Sequence, residues 1–315
     1  MTTPPNPVPG NSLEGQASSD GLMTATRPFY WSVRREVWEN RSIYIAPLAA
    51  AGVAMLGFFA QLFGLPHGVH TQGHKSSADD FLMMVMPYGH TAWLLLIAAF
   101  LVAVFYSLDA LYGERRDRSI LFWKSLPVSD LTAVLSKASI PLVVLPAMVF
   151  VITVATNLVM VLISSAVLVL SGINPLTLWR ELPLVQFELV LLYGVIVLAL
   201  GQAPLFAGLL LISGWARRKA FLWAILPPLA ICFFEKLVFH TMHFAHLLGY
   251  LVTGGATNAF SFRTPSGAPV DPHFIPLAQI TPGRFLSSPG LWIGLAFAAV
   301  FLAAAVRLRR YREPI

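Results

Sequence analysis

The chain has 315 residues, 57% of them apolar and 11% charged, with a mean hydropathy of +0.70. An ordinary soluble domain carries roughly a quarter charged residues, so this composition excludes a water-exposed globule and with it a soluble enzyme. The 21 Lys and Arg exceed the 15 Asp and Glu, giving a net charge of +6, and in a membrane protein the side on which those charges sit says more than their sum.

In chain order, the first 26 residues are rich in Pro, Ser, Gly, Asn and Thr and hold no apolar core. That predicts a disordered tail rather than a cleavable signal peptide. Residues 27–41, RPFYWSVRREVWENR, place Tyr30, Val33 and Val37 near one helical face beside Trp31 and Trp38, with Arg34, Arg35, Glu36 and Glu39 largely elsewhere. The expectation is a short amphipathic helix lying on the inner membrane surface; a plain extension of the first span is the alternative.

A bilayer core of about 30 Å needs about 20 apolar helical residues. Uncharged runs, trimmed at local breakers, predict six spans at 43–64, 91–111, 135–165, 188–214, 220–238 and 287–307. Gly64-Leu65-Pro66 ends the first, Pro87-Tyr88-Gly89-His90 delays the second, and Ser164-Ser165 with the later Gly172-Ile173-Asn174-Pro175 takes the third out near residue 165. Pro227-Pro228 in the fifth run fits either a kinked crossing or a re-entrant pair. The crossing is preferred because it puts 16 of the 21 basic residues on one side, which the positive-inside rule makes cytoplasmic, with both termini. The predicted fold is thus an all-α, polytopic membrane domain over 42–312. The net positive charge is topology, with no nucleic acid as partner.

Cys232 is the only cysteine, so neither an intrachain disulfide nor a cysteine-pair metal cage can form. Asn157 in span three, Gln202 in span four and Glu188 near the outer end of span four are the clearest polar side chains in apolar surroundings. They are candidates for a solute pathway, with helix-packing hydrogen bonds as the plainer reading. Gly194, Gly201 and Gly208 recur at sevenfold spacing, a smooth stripe read as packing within the subunit. His240, His243 and His246 follow an i, i+3, i+6 pattern, which pairs neighbours on a helix and admits a metal site; interfacial histidines with no metal are the preferred reading.

The segment LDALYGERRDRSILFWKSLPVSD, 108–130, stands out. A charged block, Glu114-Arg115-Arg116-Asp117-Arg118, leads into an apolar knob, Ile120-Leu121-Phe122-Trp123, and closes at Pro127 with the capping pair Ser129-Asp130. Four consecutive large apolar residues need a cover. Two covers are open at this point: a groove on another protein, or the inner leaflet beside the protein's own helices.

DALYGERRDRSILFWKSLPVSD resembles the cytoplasmic loop of permeases of the type-2 ABC exporter family, and the similarity extends by hydropathy over about 27–312. The resemblance implies a bacterial inner-membrane location and a homodimer. It implies that residues 113–128 are a coupling helix docking a separate nucleotide-binding ATPase. Glu114, Arg115, Arg116 and Asp117 would then be polar anchors, and the knob, with Phe122 and Trp123 foremost, the apolar one. It also implies that the outer segment 239–286 dips partly back into the membrane. The chain has no G-x-x-x-x-G-K-[ST] phosphate loop, so ATP and magnesium would belong to the partner chain and this chain would bind no cofactor. The function expected is the membrane subunit of an ATP-driven exporter, with no enzyme activity of its own. The alternatives are a secondary transporter driven by an ion gradient and, less well matched, an intramembrane enzyme, for which no buried H-E-x-x-H, paired Asp or Ser-His set is present.

Overall fold

The computed structural model describes residues 26–62, 77–117, 129–172, 174–262 and 275–311. These residues are helical almost throughout, and their only strand-like pairing is an isolated bridge between Phe260 and Ile280. Six helices are long and apolar enough to cross a membrane, as their uncharged runs require.

Helix α1, Thr26–Glu39, precedes α2, Ser42–Leu62, and α3, Ser77–Asp109. Pro87, expected to delay the start of the second span, lies inside α3. A proline removes one intrahelical hydrogen bond, but here Val85 and Tyr88 on either side of it are locked into a cluster with Phe58, Met160, Val161 and Leu182. After the short α4, Tyr112–Arg116, helix α5 runs from Asp130 to Leu170. Ser129 caps it by accepting a hydrogen bond from the Thr132 amide at 3.1 Å, as the Ser-Asp pair predicts. Pro141 falls in a π-helical turn, Ile140–Val144, the local widening that absorbs a missing donor. The helix itself continues past residue 165, where the span is expected to end, to Leu170. Ser165 turns its hydroxyl back to the Val161 carbonyl at 2.8 Å, a bond that satisfies serine inside an apolar helix.

Following α6, Leu176–Glu181, the expected fourth span is two helices: α7, Leu184–Gly201, and α8, Ala203–Trp215. The break at Gln202 has a chemical cause, since Pro204 has no N–H to give the carbonyl four residues back. The chain keeps its course regardless, because the Gln202 amide donates to the Leu198 carbonyl and the Gln202 carbonyl accepts from the Phe206 amide.

Lys219, in the left-handed region at φ 46°, turns the chain into α9, Ala220–Phe239. Pro227 and Pro228 sit inside this continuous 20-residue helix, which is long enough for the preferred crossing. Ala220 is the only buried residue between Ala220 and Phe234, so nearly the whole helix lies along the outside of the bundle.

Between α9 and the last helix lie α10, His243–Thr253, α11, Ala256–Ala259, and α12, Pro282–Leu286, followed by α13, Pro289–Tyr311. Helix α10 has no buried residue but turns its C-terminal end back against the bundle. The Gln202 amide group donates to the Val252 carbonyl at 2.6 Å, and a Cβ on Gly201 would overlap the Gly254 carbonyl. The 13 residues of α8 put Gln202 about 20 Å from the basic turn at 217–219, so α10 ends deep beside a membrane-length helix. Gly254 and Gly255 form its tip with φ of 61° and 71°, values open to glycine at little cost.

The glycine stripe serves packing inside the chain: Gly194 faces Phe260, Gly201 faces Gly254 and Gly208 faces Phe301. The main core joins Ile43 of α2, Leu95 of α3, Ile140 and Leu145 of α5 and Phe206 of α8. Small residues Ala203, Ala207 and Ala298 let α8 and α13 lie close.

Candidate functional site

Among the described residues, two groups of polar side chains in this apolar scaffold bear on function. The first lies at the end where α1, α4, the start of α5 and the last turns of α13 meet. Glu36 on α1 and Lys137 on α5 are 1% and 3% exposed. The Lys137 ammonium lies 2.8 Å from Glu36 and 3.2 Å from Glu114. Arg309 on α13 reaches Glu114 at 2.6 Å and Asp130 at 3.2 Å, while Arg35 lies 2.7 Å from Glu36 and 3.6 Å from Glu114. Tyr106 of α3 donates its hydroxyl to the second Glu36 oxygen at 2.9 Å. Three carboxylates thus meet three cations, which balances the charge of a network that is buried at Glu36, Lys137 and Arg309 and reaches solvent at Arg35 and Asp130. Burial would raise the Glu36 carboxyl; the Lys137 ammonium, and after it the Arg35 guanidinium, outweigh that by charge and hydrogen bonding and hold it below its ordinary value.

Arg115 ties the same region to α8. Its guanidinium donates to the Gly214 and Ala216 carbonyls at 2.5 and 3.2 Å, capping a helix end that leaves carbonyls without intrahelical partners. In return Ser213 accepts from the Leu111 and Tyr112 amides at 3.0 and 2.9 Å.

This geometry changes the reading of the charged block. Of its four expected polar anchors, Glu114 and Arg115 face the protein's own interior, because each is spent on intramolecular partners. Arg116 and Asp117 are the outward ones, paired to each other at 3.0 Å with side chains 55% and 62% exposed. Arg118 and the knob, Ile120, Leu121, Phe122 and Trp123, lie outside the described residues. On α1 the expected faces are rearranged too. Val33 and Val37 pack against the core beside buried Glu36, while Tyr30, Trp31 and Trp38 are exposed. Arg34 lies over the rings of Trp31 and Trp38 at 5.1 and 4.6 Å. The buried ion pairs decide this orientation, and hydrophobic periodicity alone does not register them.

The second group lies between α5 and α7. Asn157 donates its amide to Glu188 at 2.9 Å, so two of the three candidate pathway residues meet. The third, Gln202, is separate and holds α10. Thr153, one turn before Asn157, is fully buried. The hydroxyl of Thr153, the Asn157 carbonyl oxygen and the second Glu188 oxygen are buried with no hydrogen-bond partner among the described residues. Sequence reasoning missed Thr153, and its spacing of four from Asn157 is the signal that places both on one face.

An apolar cleft of about 50 Å³ is lined by Leu96, Phe100, Leu145, Val149, Val195 and Gln202 among others, with Val149 one helical turn before Thr153 on α5; Thr153, Asn157 and Glu188 do not line it.

The histidine pattern does not form one helical set. His240 ends α9 in the left-handed region at φ 55°, whereas His243 and His246 belong to α10. Glu235 accepts from the His243 and Phe244 amides at 2.6 and 2.8 Å, so the nearby carboxylate caps α10. Among the described residues no three His, Cys, Asp or Glu side chains converge as metal ligands.

Compared with protein-family models, with curated proteins and with solved structures, the chain matches none.

Proposed function

We propose that this chain is the membrane subunit of an ATP-driven exporter, forming the translocation pathway and taking its driving force from a separate ATPase docked at 113–128. The supporting observation is the anchorage of that segment's first turn. Through Glu114 and Arg115 it is joined to α1, α5, α13 and α8 by buried polar contacts, so a push on the loop is delivered to four helices together. Rigid elements joined at one point move as a body, which is what an alternating pathway needs.

In this reading the end carrying the ion pairs faces the cytoplasm, in keeping with 16 of 21 basic residues on that side. Both termini lie there, with α1 along the inner surface of the bacterial membrane. Two copies pair with two ATPases, the knob enters a groove on the ATPase, and Arg116 and Asp117 border it. The partner chain carries ATP and magnesium.

The test is co-expression with a separately encoded nucleotide-binding ATPase from the same genome. Phe122→Ala with Trp123→Ala is expected to abolish co-purification and drug- or lipid-stimulated ATP hydrolysis. Asp117→Asn is expected to weaken association severalfold without moving the melting temperature. Full coupling in the double variant overturns the reading. A secondary transporter remains the competing proposal, favoured by Glu188 in an apolar setting; uptake or efflux that survives ATP depletion but stops with an uncoupler would establish it instead.

A further inference from the structure

Hydroxyls in these apolar helices normally turn back on their own helix. Thr91 donates to the Pro87 carbonyl at 2.9 Å, Thr156 to Ile152 at 2.7 Å and Ser165 to Val161 at 2.8 Å. Thr153 does not. Its hydroxyl, the Asn157 carbonyl oxygen and the second Glu188 oxygen are three buried oxygens left without partners among the described residues. Asn157 has already given one amide hydrogen to Glu188. An unfilled carboxylate oxygen in apolar surroundings is costly. What the cluster lacks is a cationic donor. A primary ammonium carries three N–H donors and no acceptor, and its bonds to a carboxylate are charge-assisted.

The surroundings define the rest of the ligand. On α5, Val149, Thr153 and Asn157 follow at four-residue steps, and along α7 to the break at its end Glu188, Val195 and Gln202 follow at seven-residue steps, so each set occupies one face. Val149, Val195 and Gln202 line the apolar cleft. Glu188 to Val195 is about 10 Å along the helix. Acceptors at one end and an apolar cleft at the other suit a molecule with a charged head and an apolar body.

We propose that Thr153, Asn157 and Glu188, together with the cleft that begins one helical turn away at Val149, bind an amphiphile bearing a primary ammonium group. As a binding site this stands apart from the exporter reading; as the class of molecule carried, it rests on that reading. A lipid headgroup and a free amphiphilic amine share this chemistry.

The whole chain in phosphatidylcholine nanodiscs is titrated with dodecylamine and with dodecyltrimethylammonium, against empty discs, by calorimetry and thermal shift. Dodecylamine is expected to bind at least tenfold tighter than its trimethyl analogue, which has no N–H to give. Glu188→Gln is expected to weaken dodecylamine at least tenfold and to erase that preference. Thr153→Val, which keeps shape and fold, is expected to weaken it about threefold and carries the test if the glutamine variant misfolds. Equal binding of the two amines, or unchanged binding in both variants, overturns the proposal. Displacement of dodecylamine by sodium chloride but not by N-methylglucamine chloride also overturns it, in favour of an alkali-cation site. With phosphatidylethanolamine in the disc, a lower apparent affinity supports the site with a headgroup as occupant, and an unchanged one supports it with a free amine. Loss of ATPase association leaves these affinities untouched, so the two readings fail separately.

Discussion

The two polar groups of this molecule treat charge in opposite ways. At the ion-pair end, Glu36, Glu114 and Asp130 face Lys137, Arg309 and Arg35 at 2.6–3.6 Å. Between α5 and α7, Glu188 has one hydrogen bond from Asn157 and a second oxygen without a partner. Buried charges that are paired hold elements in register, whereas a buried acceptor left over marks a place where something else belongs. The first group is therefore read as a joint, and the second as a binding site. Each carboxylate of the joint faces a cation of the same chain, whereas Glu188 faces none among the described residues.

The comparison can be broken most forcefully at Lys137. Lys137→Met leaves Glu36 and Glu114 buried without its ammonium, and loss of one partner from such a network costs about 3–5 kcal/mol. Thermal unfolding in detergent should show a large fall in melting temperature, and a change of under a degree would mean the ion pairs are not the joint. By contrast, Asn157→Leu is expected to cost less, because it removes a neutral donor from Glu188 and not a charge-balancing cation.

Next in size is Gly201→Ala. The added methyl meets the Gly254 carbonyl, and forcing an extra methyl into a packed site costs about 1–3 kcal/mol. The strain is relieved if α10 lifts away, so a cysteine placed at Val252 should label faster with a water-soluble maleimide in the variant. Unchanged labelling together with unchanged stability would show that the close approach at Gln202 is not a constraint.

The smallest effect is that of pH. The Glu36 carboxyl titrates below its ordinary value in the folded chain, so its contribution is fully present above about pH 4.3, where an unfolded glutamate is ionised. It is lost as pH falls through the folded value, since the unfolded chain takes up the proton first. Melting temperature should therefore drop on acidification below about pH 4.3, and the Glu36→Gln variant, already weaker at neutral pH, should lose less over the same range. Parallel curves would remove Glu36 from the joint.

Much of the architecture was legible in the chain. The uncharged runs mark six membrane-length helices because hydrocarbon admits few charges, and the Ser129-Asp130 pair marks a helix start because a serine oxygen satisfies an exposed amide. The boundaries were less legible. Pro87 and Ser165 are local breakers whose effect was overridden, the first by packing around Tyr88 and the second by a hydroxyl bond to the Val161 carbonyl. The break at Gln202 was visible in Pro204, but α10 reaching it from 50 residues away was not.

The sites divide in the same way. Asn157, Gln202 and Glu188 stood out by polarity alone, yet nothing in their spacing says that Asn157 meets Glu188 while Gln202 holds α10. Glu114 and Arg115 looked like surface charge because their partners are distant: Arg309 is 195 residues from Glu114, and Gly214 is 99 from Arg115.

By itself the sequence determined that this protein is helical, apolar over six membrane-length stretches and basic at one set of loops, since each follows from how single residues partition between water and hydrocarbon. Only the tertiary structure decided which charges are buried, which oxygens lack a partner and which helix folds back to Gln202. Those depend on distances between residues far apart in the chain, and no local pattern of hydropathy encodes a distance of that kind.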